Sequence, residues 1–388
     1  MNVVVVGGGF GGIKAALELS KRHIGQITLI SNEPYFTHHA TLYSTATGKD
    51  YAESIVRLSD IFAHHPNVTI VEDEMISIEP QRHLIIGKHK QYHYDKAVLA
   101  LGSVTTFFGI EGMATNAYGI KSLEEVKKFQ DHIHDEVVDQ KLDKEYFIVG
   151  AGPTGVELAG ALQEYLNSLI KAHNIKHSHP KVSLVEAAPR ILPRMSETAA
   201  KLVTKRLKKK GIKVQTNKKV QALSDKTITV DGKEIPTTTA VWTSGVANNP
   251  FFTSHGDVFS LQKNGRVEVD KYLEALPNVY VVGDSNNVAF SGMAWPAMKQ
   301  ATFVAKHLTR LAGKRPTFAY RPHAVLSGLP VGHNWGYVEK YGIYVAGRPG
   351  YTVRRWMELY GYHQLMPFSM ARAIWHAHDI SEVHEDSL

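Results

Sequence analysis

Two stretches of this chain share one pattern, and that repetition restricts its possible folds more than any other feature. At the start of the 388-residue sequence, Val3-Val4-Val5-Val6 runs into Gly7-Gly8-Gly9-Phe10-Gly11-Gly12. Near the middle, Tyr146-Phe147-Ile148-Val149 runs into Gly150-Ala151-Gly152-Pro153-Thr154-Gly155. Gly7, Gly9 and Gly12, and again Gly150, Gly152 and Gly155, satisfy G-x-G-x-x-G. The first glycine permits a tight turn, the second lets backbone approach a pyrophosphate, and the third lets helix and strand pack closely. The helix that follows offers its N-terminus to phosphate charge. Glycines alone are a weak signal. Here each set follows an apolar strand, opens a helix-like stretch and leads to a further apolar strand, Ile27 to Ile30 or Val182 to Val185. That context makes both sets dinucleotide-binding turns, so the expected class is α/β with two Rossmann-like domains.

Two later segments are expected to rejoin the first unit. Ala97-Val98-Leu99-Ala100-Leu101-Gly102 has the form of a buried strand ending in a turn, and Asn278 to Val282 is another, ending at Gly283-Asp284. The expected division is a first dinucleotide domain over 1–112 and 266–325, an inserted second one over 113–265, and a C-terminal region over 326–388.

The ends of the second strands set cofactor identity. After the second motif, Leu184-Val185-Glu186 places a carboxylate where it accepts hydrogen bonds from an adenosine ribose and repels a 2′-phosphate. NADH is therefore expected over NADPH, with Arg190 as the dissenting residue because it could reach a phosphate. After the first motif the strand ends in Ser31-Asn32-Glu33, where Glu33 lies slightly late and Ser31 is the alternative. Asp284 puts a carboxylate within reach of a ribityl chain, which points to FAD on the first unit. Glu157 falls on the first turn of the second helix. It either faces the meeting point of nicotinamide and flavin or simply complements the helix dipole.

Other chemistries are excluded or disfavoured. The chain has no cysteine, which removes disulfides, cysteine-ligated metals and any redox-active cysteine pair. His38-His39, His64-His65 and His376/His378 suggest metal, but adjacent histidines in a strand point to opposite faces; no metal is expected. Lys205 to Lys210 is a basic run on a helix, best taken as a solvated face. A formal charge of +7 is too mild to imply nucleic acid, and no nucleic-acid partner is expected. No apolar run approaches the ~20 residues of a membrane span. The N-terminus has no signal-peptide pattern, which leads to an expected cytoplasmic start. From Tyr351 to Trp375, Arg354, Arg355, Trp356, Leu359, Tyr360, Phe368 and Trp375 mix basic, aromatic and apolar character, as suits a membrane interface, a dimer interface or a core-packing helix. Beyond His376 the chain turns acidic (Asp379, Glu382, Glu385, Asp386) and should stay in water.

Over nearly its whole length the chain resembles the type II NADH:quinone oxidoreductases, which are single-subunit flavoproteins without metal. The resemblance rests on Gly7 to Gly12, Tyr35-Phe36, Ala46-Thr47-Gly48, Leu99 to Ser103, Gly150 to Leu158, Val185-Glu186, Pro189 to Pro193, Val241 to Val246 and Gly283-Asp284. It implies a glutathione-reductase-like, two-dinucleotide-binding-domain flavoprotein with a C-terminal membrane-associating region. FAD and NADH are the implied cofactors. The expected cofactor contacts are Gly7, Gly9, Phe10, Gly11, Gly12, Ser31, Asn32, Glu33, Met75, Ala100, Gly102, Gly283, Asp284, Ala294, Trp295, Gly150, Gly152, Pro153, Thr154, Gly155, Glu186 and Gly245, with Glu157 catalytic. The implied reaction is hydride transfer from NADH to FAD and then two electrons to a membrane quinone, without proton pumping. The implied setting is a homodimer held peripherally at the cytoplasmic face of the membrane. One departure matters. The family has Ala-Gln-x-Ala-x-Gln beside the flavin, whereas Ala294 to Gln300 here puts Trp295 and Lys299 in the glutamine positions, changing the acceptor pocket. A soluble NADH-dependent reductase of a small carrier or of oxygen, or a redox-sensing flavoprotein, is the alternative.

Overall fold

A computed structural model describes residues 1–140, 142, 145–176 and 179–381. Two parallel sheets carry the two glycine motifs. The first is built from β1 (Asn2–Val6), β2 (Gln26–Ser31), β3 (Val68–Glu72) and β4 (Lys96–Leu99), in spatial order β3-β2-β1-β4. The second is built from β5 (Glu145–Val149), β6 (Lys181–Val185), β7 (Lys213–Gln215) and β8 (Ala240–Trp242), in the equivalent order β7-β6-β5-β8. The repetition extends to the excursions. Between its third and fourth strands each unit inserts a three-stranded antiparallel meander, starting at Met75 in the first and at Val220 in the second.

Why these segments form central strands is plain from their burial. Val3, Val4, Val5 and Val6 are all buried, as are Tyr146, Phe147, Ile148 and Val149. A parallel sheet covered on both faces needs continuous rather than alternating apolar strands. The first sheet gains a fifth parallel strand late in the chain, β9 (Val279–Val281), beside β4. The chain crosses between the units on an antiparallel ribbon of Ser103–Thr105 with Val246–Asn248.

Helix α1 (Phe10–Lys21) follows the first turn and α2 (Pro153–Ala172) the second. Against α1 packs α3 (Ala294–Ala312). The basic run lies in the helix Glu197–Lys209, whose Val203 and Leu207 are buried while Lys208 and Lys209 face water. The C-terminal region forms an antiparallel sheet, Ser327–Pro330, Gly336–Lys340 and Ile343–Gly347, followed by α4 (Arg348–His363) and α5 (Phe368–Ala377). Of the three settings open to the segment from Tyr351 to Trp375, Arg354 and Arg355 match that of a core-packing helix. Both are buried, because α4 turns its charged residues inward onto other charges. Glu382, Glu385 and Asp386 lie outside the described residues. Among the described residues no helix is long and apolar enough to cross a membrane.

Candidate functional site

The two glycine turns are built alike. Gly7 N–H donates to Ile30 O at 2.8 Å and Gly150 N–H to Val185 O at 2.8 Å. Both residues have positive φ, +117° and +109°, a region that side chains disfavour. A Cβ on Gly12 would collide with the Gly7 carbonyl oxygen, and a Cβ on Gly155 with that of Gly150. Each third glycine thus allows its helix to sit directly on its turn. Space above Gly9 and Gly152 is open, with no atom within 4 Å of a would-be Cβ. Neither α1 nor α2 has a side-chain cap, so their first N–H groups are left for an external acceptor. Two long helices with open, uncapped N-termini over small residues fit two pyrophosphates.

Strand register identifies corresponding residues. Val6 pairs with Ile30, and Val149 with Val185. Ser31 is therefore the counterpart of Glu186, while Asn32 and Glu33 lie beyond that position on exposed chain. Glu186 accepts from Ala151 N–H and Ala188 N–H, each at 2.8 Å, so a carboxylate stands beside the second turn. Ser31 is buried and donates to Glu33 O at 2.8 Å. Arg190 donates to the carbonyls of Leu192 (2.9 Å), Pro193 (2.9 Å) and Met195 (3.0 Å). Its guanidinium is spent on its own loop rather than aimed at a 2′-phosphate.

The remaining expected contacts fall around the first turn and the crossing between units. Phe10 turns toward Phe36, with ring centroids 5.0 Å apart. Gly11 packs under Val282, Ala100 lies beside Gly7, and Met75 is buried under the sheet. Asp284 accepts from Gly292 N–H at 2.9 Å and Ser103 Oγ at 3.2 Å; Gly102 and Gly283 flank this point in sequence. Pro153 and Thr154 are exposed at the mouth of α2, and Gly245 abuts Thr106 at the interdomain ribbon. Ala294 opens α3. Its neighbour Trp295 lies under the Lys299 ammonium at 4.6 Å and against Tyr360 at 5.4 Å, which ties both altered positions to the C-terminal helices. Gln300, fully buried, accepts from Gly283 N–H at 2.7 Å; the sequence reading passed it over.

Glu157 is buried on α2, and burial pushes its carboxyl up to about 8, so it is protonated at neutral pH. Arg354 Nη2 is 3.9 Å away, and Arg354 Nη1 holds Glu358 at 2.8 Å. Arg355 Nη1 holds the other oxygen of Glu358 at 2.5 Å and lies 3.7 Å from Glu53. Glu53 also accepts from Ser44 at 2.7 Å and meets His378 Nδ1 at 2.8 Å. Nearby, the His38 ring lies tilted against Tyr362 with centroids 4.4 Å apart, and burial holds its imidazole down at about 3, hence neutral. The sequence reading missed Glu53, Glu358 and His378 as members of this cluster. Glu358 had a signal, since it stands four residues after Arg354 and three after Arg355, both pairing distances on a helix. Glu53 had none. Among the described residues no group of histidine and acid side chains is arranged to hold a metal.

Comparisons with known proteins agree with this fold. Residues 1–302 match the pyridine nucleotide-disulphide oxidoreductase family model. The chain is 32% identical to the type II NADH:quinone oxidoreductase NdhA of Mycobacterium tuberculosis, over 79% of this chain and 72% of that protein. It is 26% identical to the type II NADH:quinone oxidoreductase of Staphylococcus epidermidis, over 95% of this chain and 97% of that one. The fold is similar to that of NDH2 from Plasmodium falciparum, solved in complex with NADH, with a TM-score of 0.83, 16% identity and 97% of each chain covered.

Proposed function

This chain belongs to the pyridine nucleotide-disulphide oxidoreductase family and, within it, to the type II NADH:quinone oxidoreductases; we propose that its first cradle holds FAD and its second holds NADH. The observation that carries this assignment is the pair of matched, open helix N-termini, only one of which has a carboxylate at the end of its second strand. Bound in the first cradle, FAD would supply the two-electron redox chemistry that links NADH to a quinone, with no proton pumping. The protein's part is binding, orientation and proton control. The N–H groups of Gly9 and Gly152 and the first turns of α1 and α2 meet the pyrophosphates. Glu186 takes the adenosine ribose and disfavours a 2′-phosphate, Ser31 puts a neutral group at the equivalent position of the FAD cradle, and Asp284 serves the ribityl chain. Glu157 keeps its proton in a dry site, available to an acceptor oxygen. The family name's disulphide has no counterpart here, since the chain has no cysteine.

The acceptor side lies at Trp295 and Lys299, close to α4. Val353, Trp356 and Tyr360 share one face of α4 and are exposed, as is Phe368 of α5. Such an aromatic and apolar face with basic neighbours supports peripheral attachment to a membrane at its cytoplasmic face. The edge strand Ile343–Gly347, with Tyr341, Ile343 and Tyr344 exposed around it, supports a homodimer, because an unpaired edge recruits a second strand. Steady-state NADH oxidation with quinone analogues, with and without lipid, tests the function. The expected result is quinone reduction well above the rate with oxygen alone; NADH oxidation with no such excess removes quinone as the acceptor. Replacement of both glutamines by Trp295 and Lys299 favours a second reading, a soluble reductase of a small electron carrier. Vesicle flotation separates the two, since a protein that stays wholly with the aqueous phase supports the carrier.

A further inference from the structure

A single arginine stands between two buried carboxylates, and its hydrogen bonds are unequally divided. Arg354 Nη1 meets Glu358 at 2.8 Å, whereas its Nη2 is 3.9 Å from Glu157, too long for a hydrogen bond. Arg354 Nε donates to Gly328 O at 3.1 Å, which fixes the plane of the guanidinium. Glu358 is held on both oxygens, one by Arg354 and the other by Arg355. Arg355 Nη2 is anchored in turn on Trp375 O at 2.6 Å. Among the described residues nothing comparable holds Glu157.

We propose that Glu358 is a positioning residue that withholds Arg354 from Glu157 and so leaves the Glu157 carboxyl without an ionic partner. This rests on the assignment of Glu157 to the acceptor side. The C-terminal helix thereby sets the proton state of a residue on the second glycine-motif helix. The groups around Glu157 agree. Arg354 pulls its carboxyl toward ionisation, while Glu358 and burial oppose ionisation, burial being the larger effect. Tyr43 faces it from the helix Leu42–Thr45 and is kept neutral by burial well above its usual range. Behind Glu358, Arg355 is shared with Glu53, and Glu53 is engaged by His378 from the end of α5. Tyr362 and the neutral His38 complete the surroundings and add no cation. Removing the Glu358 charge frees Arg354 to close on Glu157. A closer cation favours the carboxylate, so the sign is downward: Glu157 loses its proton at lower pH.

The test is an infrared titration of the flavin-bound protein, following the carbonyl band of a protonated carboxylic acid, with Glu157→Gln as the blank that identifies the band. The wild-type midpoint is expected near 8. In Glu358→Gln it falls by about one pH unit or more, a tenfold change in the ionisation constant. In Glu358→Asp, where the charge is kept but drawn back, it falls by less. Adding Arg354→Gln to Glu358→Gln returns the midpoint to the wild-type value or above. An unchanged or rising midpoint in the single variants overturns the proposal, as does a double variant that stays low. Glu358→Gln leaves two buried arginines short of a partner; should it fail to fold, Glu358→Asp decides alone. The band reports Glu157 whether or not quinone is the acceptor. A midpoint that shifts in an enzyme that reduces no quinone sinks only the functional assignment, and an active quinone reductase with an unmoved midpoint sinks only the role of Glu358.

Discussion

The two dinucleotide units differ less in backbone than in one side chain each. Both place a G-x-G-x-x-G turn between a buried strand and an uncapped helix, with the same N–H bond to the neighbouring strand. At the matched position after that strand, the first has Ser31 and the second Glu186. Backbone geometry supplies a place for pyrophosphate in either unit. Under the proposed assignment, what distinguishes the occupants is whether a neutral hydroxyl or a carboxylate stands where the adenosine ribose would lie. The first unit is also completed late, by β9 and α3, while the second is finished before the chain returns. That return brings Asp284 and the Trp295–Lys299 segment to the first unit, which under the proposed assignment serves a resident cofactor and an acceptor, the second unit serving a visiting donor.

The strongest way to break the equivalence is to block each turn separately. Gly12→Ala and Gly155→Ala both drive a methyl group into the carbonyl of the turn's first glycine. Overpacking of this kind costs about 1–3 kcal/mol, or roughly 5- to 150-fold in affinity. Gly12→Ala is expected to purify with little flavin, seen in its visible absorbance. Gly155→Ala is expected to keep flavin and to raise the KM for NADH. Loss of flavin from both in equal measure means that the units do not bind separate dinucleotides.

A smaller effect probes the side chain that separates them. Glu186→Gln keeps the shape and one acceptor oxygen for the Ala151 or Ala188 N–H but removes the charge. It is expected to weaken NADH about tenfold, one charge-assisted hydrogen bond's worth, and to narrow the preference over NADPH. Ser31→Ala is expected to change NADH kinetics not at all and flavin retention only slightly, because its hydroxyl already serves the Glu33 carbonyl. Equal KM values for NADH and NADPH in the wild type would show that Glu186 does not discriminate.

The duplication was legible because glycine spacing and strand hydrophobicity are local properties. Gly7 to Gly12 and Gly150 to Gly155 state their geometry within six residues. Ser31 against Glu33 was left open, since choosing between them needs the register of β1 on β2, which no short segment encodes. The mix of basic and aromatic residues around Arg354 and Arg355 suits a membrane interface, a dimer interface and a core-packing helix alike. The burial of the two arginines depends on Glu358 and, for Arg355, on Glu53, some 300 residues away in sequence and brought close only by the docking of α4 and α5. Composition describes a segment's content but not which face turns inward when its partners come from another unit.

The smallest expected effect concerns Arg190, which from sequence alone competed with Glu186 in setting coenzyme choice. Its three bonds to the carbonyls of Leu192, Pro193 and Met195 make it a brace for the loop after β6. Arg190→Ala should therefore leave the ratio of kcat/KM for NADH and NADPH within about twofold of wild type, well under the tenfold that 1.4 kcal/mol represents. It should instead lower the Tm by a few degrees, as loss of a bond or two costs ~1–2 kcal/mol. The comparison between the units depends on this outcome. If Arg190→Ala lowers activity with NADPH far more than with NADH, the arginine reaches the 2′ position in the bound state, and the second cradle selects its coenzyme by two opposing charges rather than by Glu186 alone.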